Sequence, residues 1–160
     1  MKVGITGHQN MGSTEDVEWI RSVLSEVVTR LNIRLGFTSL AHGADQIYAE
    51  ILRKRSIPFT AIIPCSKYES TFQKNGRLET YLDLKKSARE VITLEYEEPT
   101  GIAFYAAGKK VVDASDLMIA VWFGRKAKSL GGTGDAVQYA LSMKKPTFHI
   151  NPEMRKIAIL

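Results

Sequence analysis

A chain of 160 residues, 44% hydrophobic and 24% charged, is expected to form one globular domain over 1–160 with a core that needs no covalent staple. Lysine and arginine total 22 against 17 acidic residues, and the resulting +5 favours anionic partners without choosing among them. The single cysteine, Cys65, excludes a disulfide framework and a cysteine-rich metal site, and no run is apolar enough to span a bilayer, so no membrane partner is expected.

The N-terminal MKVGITGHQN enters a strand-like run, Val3–Ile5, with no signal-peptide core, and a cytoplasmic location is the expectation. The run ends in ITGHQNMGS. Gly7 directly after a strand allows close backbone approach, and His8, Gln9 and Asn10 add three polar side chains there. The turn lacks the G-x-G-x-x-G spacing and a P-loop lysine, so it reads either as a ligand contact or as a bare tight turn. Ser13 with Asp16 predicts a capping box. Val17, Ile20, Leu24, Val27 and Leu31 then make one helical stripe, whose start offers N–H groups to an anion.

Phe37–Leu40 is the second strand-like run, followed by SLAHGADQIYAE. Gly43 permits an unusual backbone angle. Asp45 falls in the first turn of a helix marked by Ile47, Ile51 and Leu52, where a carboxylate also simply complements the helix dipole. The third run, Phe59–Ile63, leads into PCSKYESTF. Tyr68 and Phe72 read equally as base-stacking rings or as rings folded onto their own domain. Cys65 has no neighbouring histidine pattern and reads as an inert thiol. Leu78–Ala88 is a predicted helix, while the polar Gln73–Arg77 before it is left unassigned.

After Val91–Leu94 comes EYEEPTG. Glu97 and Glu98 there are candidates for acid–base work or solvated charges, Glu98 suiting a helix N-terminus. The helix from about Thr100 carries Phe104, Ala107, Val111 and Ala114 on one stripe. Leu117–Val121 then ends in Trp122-Phe123-Gly124, with a basic cluster of Arg125, Lys126 and Lys128 behind it. Gly131-Gly132-Thr133-Gly134-Asp135 opens the next helix, which carries Val137, Ala140 and Leu141 and stops at Lys144, Lys145 and Pro146. Adjacent glycines give backbone N–H groups room to wrap a phosphate, the helix dipole favours the charge, and Thr133 adds a hydroxyl. Asp135 as an N-cap would need no ligand, but it would need only one glycine. His149 lies in the run Thr147–Ile150 and reads as structural; His8, His42 and His149 do not have metal-site spacing.

Alternating strands and helices predict an α/β fold, a doubly wound, mainly parallel Rossmann-like sheet flanked by helices. Ligands of such sheets sit beyond the carboxyl ends of the strands, where the unusual residues gather. The candidate ligand- and phosphate-binding set is Gly7, His8, Gln9, Asn10, Gly43, Asp45, Tyr68, Trp122, Gly131, Gly132, Thr133, Gly134 and Asp135. No metal and no cofactor is expected.

The order ITGHQN, SLAHGADQIYAE, DASDLMIAVWFG and GGTGDAVQYA resembles the SLOG superfamily of Rossmann-like domains over nearly the whole chain. That group includes the Lonely-guy (LOG) phosphoribohydrolases, DNA-processing protein A and nucleotide-sensing domains of bacterial defence effectors. The resemblance implies a homodimer or higher homo-oligomer. Laid on the P-G-G-x-G-T-x-x-E loop of the LOG enzymes, the glycines fall on Gly131, Gly132 and Gly134, Asp135 takes the threonine place, and the glutamate place holds Gln138, which cannot ionise. The arginine of those enzymes' preceding helix has only Lys109 and Lys110 here. The first expectation is therefore binding, sensing or sequestration of a nucleotide-derived small molecule. The second is a nucleotide N-glycosidase using Glu98 or Asp45. Single-stranded DNA binding comes third, and nucleic acid is not expected as a partner, since no aromatic-and-basic track runs through the sequence.

Overall fold

The computed structural model describes residues 1–72 and 76–160. Seven strands form one sheet: β1 (Lys2–Gly7), β2 (Leu35–Thr38), β3 (Phe59–Ile63), β4 (Glu90–Thr93), β5 (Leu117–Val121), β6 (Thr147–Asn151) and β7 (Lys156–Ile159). Their spatial order is β4-β3-β2-β1-β5-β6-β7. Every neighbouring pair is parallel except β6 with β7. The central strands are buried on both faces, which is why their sequences are continuously apolar rather than alternating. β7 is the element missed from the sequence. Its KIAI is wholly exposed and has no buried face to leave a pattern.

Five α-helices make the crossovers: α1 (Thr14–Arg30), α2 (Ala44–Lys54), α3 (Arg77–Ser87), α4 (Gly101–Ala114) and α5 (Thr133–Ser142), with a 3-10 turn at Tyr68–Phe72. Helices α1 and α2 pack together, as do α4 and α5. The buried residues of α1 and α2 share one core cluster with Ile5, Ile119 and Val121, while Ala107, Val111 and Val112 of α4 pack with Ala140 of α5 and Met118 in another. The unassigned Gln73–Arg77 resolves in part, since α3 already begins at Arg77; Gln73, Lys74 and Asn75 lie outside the described residues.

Strand order fixes where a ligand can sit. The chain leaves β1 toward β2 and leaves β5 toward β6, and β1 and β5 are neighbours. Their connections diverge, and a crevice opens between them at their carboxyl ends. Two glycines let the walls of that crevice close up. At Gly7 a Cβ would lie 2.4 Å from the Cβ of Ala44, and at Gly43 it would lie 2.5 Å from the His8 carbonyl oxygen. Gly43 also holds φ +99°, which side-chain-bearing residues avoid.

Gly43→Ala therefore combines strain with a backbone clash and should cost at least about 2 kcal/mol. Gly76→Ala is the control: it also has positive φ, but among the described residues its Cβ would meet nothing nearer than 3.8 Å, so the strain of about 1 kcal/mol is the expected cost. Urea denaturation of both variants checks the ordering, and equal losses would contradict it.

Candidate functional site

A cleft of about 870 Å³ lies over the crevice, and Gly7, His8, Gln9 and Asn10 line it from the β1–α1 turn. His8 is half-buried. Its Nε2 accepts the Phe123 backbone N–H at 3.2 Å, and its ring stacks on the Phe123 ring at 4.3 Å. This bond ties the end of β1 to the end of β5 and demands an unprotonated Nε2. Burial lowers the His8 pKa, and the nearby Arg125 and Lys128 charges lower it further. The imidazole thus lies in a cationic setting, with its Nε2 lone pair held by the Phe123 N–H.

From the β2–α2 turn comes Asp45, buried and on the cleft wall. Its Oδ2 accepts from the Thr38 hydroxyl and the Ser39 N–H, both at 3.0 Å, and the Ala41 N–H also reaches the carboxylate. The Thr38 hydroxyl in turn accepts the Leu40 N–H at 3.0 Å. Desolvation outweighs these donors and pushes the Asp45 pKa up to about 6. Asp45 thus organises the loop after β2 and is the only carboxylate on the cleft among the described residues.

The far wall is the loop from Arg125 to Gly134. Gly131, Gly132, Thr133 and Gly134 line the cleft, as do Arg125, Lys126 and Lys128. Gly132 is the N-cap of α5 and supplies no side-chain hydrogen bond, so the first turn keeps N–H groups to offer a ligand. Thr133 is its first residue. The glycines also have a packing cause. A Cβ on Gly134 would lie 2.7 Å from the Ala127 nitrogen, and one on Gly131, at φ +86°, would lie 2.6 Å from the Gly101 carbonyl oxygen. Their number thus reflects the basic loop lying on Gly132 and Gly134 and α4 lying on Gly131, as well as any ligand. Arg125 is held in a bidentate pair with Glu153 at 2.6 and 2.7 Å, which leaves Lys126 and Lys128 as the unpaired cations of the loop among the described residues.

Several expectations change. The start of α1 is not an open anion site, because Ser13 and Asp16 cap it reciprocally, at 2.9 Å from the Ser13 N–H to the Asp16 carboxylate and 3.2 Å from the Asp16 N–H to the Ser13 hydroxyl. Trp122 does not line the cleft; its indole N–H donates to the Arg125 carbonyl at 2.8 Å and anchors the basic loop from below. Asp135 is not the N-cap, and its Oδ2 accepts the Gly131 N–H at 2.9 Å away from the cleft lining. Gly43 packs behind this wall and lines the neighbouring cavity instead. Glu98 lies outside the lining, with its carboxylate bound by Lys67. Gln138 faces solvent, so the glutamate place of the LOG loop does not reach this cleft.

Tyr68 is on the lining but buried, its ring edge-on to Phe72 and Tyr81 at 5.0 and 5.5 Å. That answers its open reading for the ring: it belongs to a core aromatic cluster. Cys65 is buried, and desolvation raises its thiol pKa, as an inert thiol requires. His149 sits in β6 with a ring nitrogen 2.8 Å from the Trp122 carbonyl. Missed from the sequence were Phe123 as the partner of His8, and Arg77, which α3 delivers to the cleft from a distant segment. Among the described residues no cluster of histidine, cysteine and carboxylate side chains has metal-binding geometry, and no helix is long and apolar enough to cross a membrane.

No family model matches the chain, and no curated protein does. Solved structures do. DNA processing protein A from Streptococcus pneumoniae superposes with a TM-score of 0.67 at 15% identity, over 92% of this chain and 49% of that one. DNA processing protein A from Helicobacter pylori, solved for its single-stranded DNA binding mode, gives 0.67 at 20% identity, over 93% of this chain and 64% of that one. The molybdenum cofactor binding protein of Rippkaea orientalis gives 0.61 at 18%, over 94% and 76%. The chain thus spans less than two thirds of either DNA processing protein. These neighbours overturn the expectation that set nucleic acid aside, since one protein of this fold binds single-stranded DNA. The physical reason is that the absence of a linear basic track decides little once folding brings Arg77, Lys126 and Lys128 to one cleft.

The raised Asp45 pKa makes a pH prediction. The folded carboxyl holds its proton up to about 6, whereas the unfolded one releases it near 3.8. This contribution to stability is full below the unfolded value and lost as pH rises through the folded one. Asp45→Asn removes the titration, so its stability relative to wild type should improve by about 2–3 kcal/mol between pH 3.5 and pH 7. Parallel urea-unfolding profiles for the two proteins would contradict the assignment. The chain shares the Rossmann-like fold of the DNA processing and molybdenum cofactor binding proteins.

Proposed function

We propose that the cleft binds a nucleotide or nucleotide-derived molecule by its phosphate, at the start of α5. The observation that carries this reading is the imbalance of charge on the lining. Arg77, Lys126 and Lys128, beside an Arg125 already paired with Glu153, face one carboxylate, Asp45, which is itself engaged by its own loop. The uncapped first turn of α5 adds its dipole at the same place. The volume suits a small organic ligand, and Phe104, Tyr105 and Phe123 on the lining offer apolar surface for a base. Binding without turnover is the form adopted, because Glu98 and Gln138 lie off the cleft and Asp45 serves its loop.

A second reading is supported by the fold. In this one the phosphate belongs to single-stranded DNA, as the similarity to the Helicobacter pylori protein suggests. Both readings place a phosphate at the same helix start and differ in what carries it.

Thr133→Glu tests the shared claim. A carboxylate in the first turn of a helix is favourable for the fold, yet it fills the phosphate position with negative charge. The variant should unfold at or above the wild-type temperature and lose at least tenfold in affinity for every ligand that binds, about 1.4 kcal/mol. Binding is read by thermal shift with a nucleoside monophosphate panel and by anisotropy with labelled oligo(dT). Saturation by monophosphates supports the first reading, and binding of oligo(dT) alone supports the second. Unchanged affinity in Thr133→Glu would contradict both.

A further inference from the structure

A second cavity of about 920 Å³ opens beside the first. Gln9, Asn10, Gly12, His42 and Arg77 line both, so the two are chambers of one continuous groove. The second chamber runs along α2 toward Arg21 and Glu50, which pair at 2.7 Å, and past Thr80 of α3. We propose that this chamber holds a second, covalently linked nucleotide unit, so that the ligand class is a dinucleotide or longer strand rather than a mononucleotide. The proposal rests on the phosphate reading of the first chamber.

Size, charge and continuity carry it together. Each chamber alone reaches the volume of a site for a drug-sized molecule, roughly 300–1,000 Å³, so a mononucleotide leaves the second one to water. Arg77 stands at the junction and, among the described residues, has no ion-pair partner. A guanidinium there is placed for a phosphodiester joining two units, since Arg grips phosphate through paired donors. The second chamber offers the amides of Gln9 and Asn10 and the hydroxyl of Thr80, suited to a base edge or sugar. Its one lining carboxylate among the described residues is Glu50, partly neutralised by Arg21.

The test compares the four 5′-deoxymononucleotides with the four matching 5′-phosphorylated homodinucleotides, by calorimetry on the full chain. At least one dinucleotide should bind tighter than its mononucleotide by about tenfold or more, the scale of one further base contact. Thr80→Trp, an exposed position on the second chamber, should erase that gain and leave mononucleotide affinity unchanged. Glu50→Gln should enlarge the gain by removing negative charge, which also guards against a folding defect in the tryptophan variant. Equal affinity for mono- and dinucleotides overturns this inference while the first-chamber reading stands. A gain that survives Thr80→Trp and ignores Glu50→Gln overturns it as well, by placing the second unit elsewhere. Failure of both ligand classes to bind overturns the underlying reading with it.

Discussion

The neighbouring positions of β1 and β5 are the constraint from which the site follows. The chain departs from these strands in opposite directions across the sheet, so a crevice is left between the diverging turns at their carboxyl ends. Those turns are held together by few contacts. The Phe123 N–H reaches His8 Nε2, the two rings stack, and Gly43 lets the β2–α2 turn lie against the His8 carbonyl. The crevice is a consequence of topology, and its shape depends on these contacts.

Within that crevice the helix starts differ in what they offer. Helix α1 is closed by its own Ser13 and Asp16, and α4 by the Thr100 hydroxyl, which accepts the Ala103 N–H. As α3 does, helices α2 and α5 begin at glycines that supply no cap. Of these two, α2 already has Asp45 buried in its first turn and facing the cleft. Helix α5 has its carboxylate, Asp135, off the lining and engaged by the Gly131 N–H. Among the described residues, α5 combines an open N-terminus with the flanking Lys126 and Lys128 on the cleft, and this difference is why we propose the anion there.

The fold was largely legible because burial on both faces leaves continuous apolar runs. Phe59–Ile63 and Leu117–Val121 are strands with the same limits in sequence and structure. β7 escaped because none of its four residues is buried. The site was legible as a set of turns but not as a set of roles. Local spacing finds a capping box such as Ser13 with Asp16, yet it does not say that the box closes the very helix start counted as open. Glycines in Gly131–Gly134 looked surplus to a turn because what packs on them, α4 on Gly131 and the basic loop on Gly132 and Gly134, is set by the folded chain. Arg77 reaches the cleft, and Phe123 meets His8, through separations no local pattern spans. Trp122 looked like a ligand contact because it ends a strand, but the pleat points it beneath the loop, onto the Arg125 carbonyl.

The central claim is that an anion binds at the start of α5 and not at the other turns of the cleft. Titration of the isotope-labelled protein with inorganic phosphate, followed through its backbone amide NMR signals, tests it most directly. The account predicts saturable shifts that are largest at Thr133 and Gly134, with the capped amides of Ser13 and Asp16 unmoved. Shifts centred on the start of α1, or scattered over surface lysines without saturation, would contradict it.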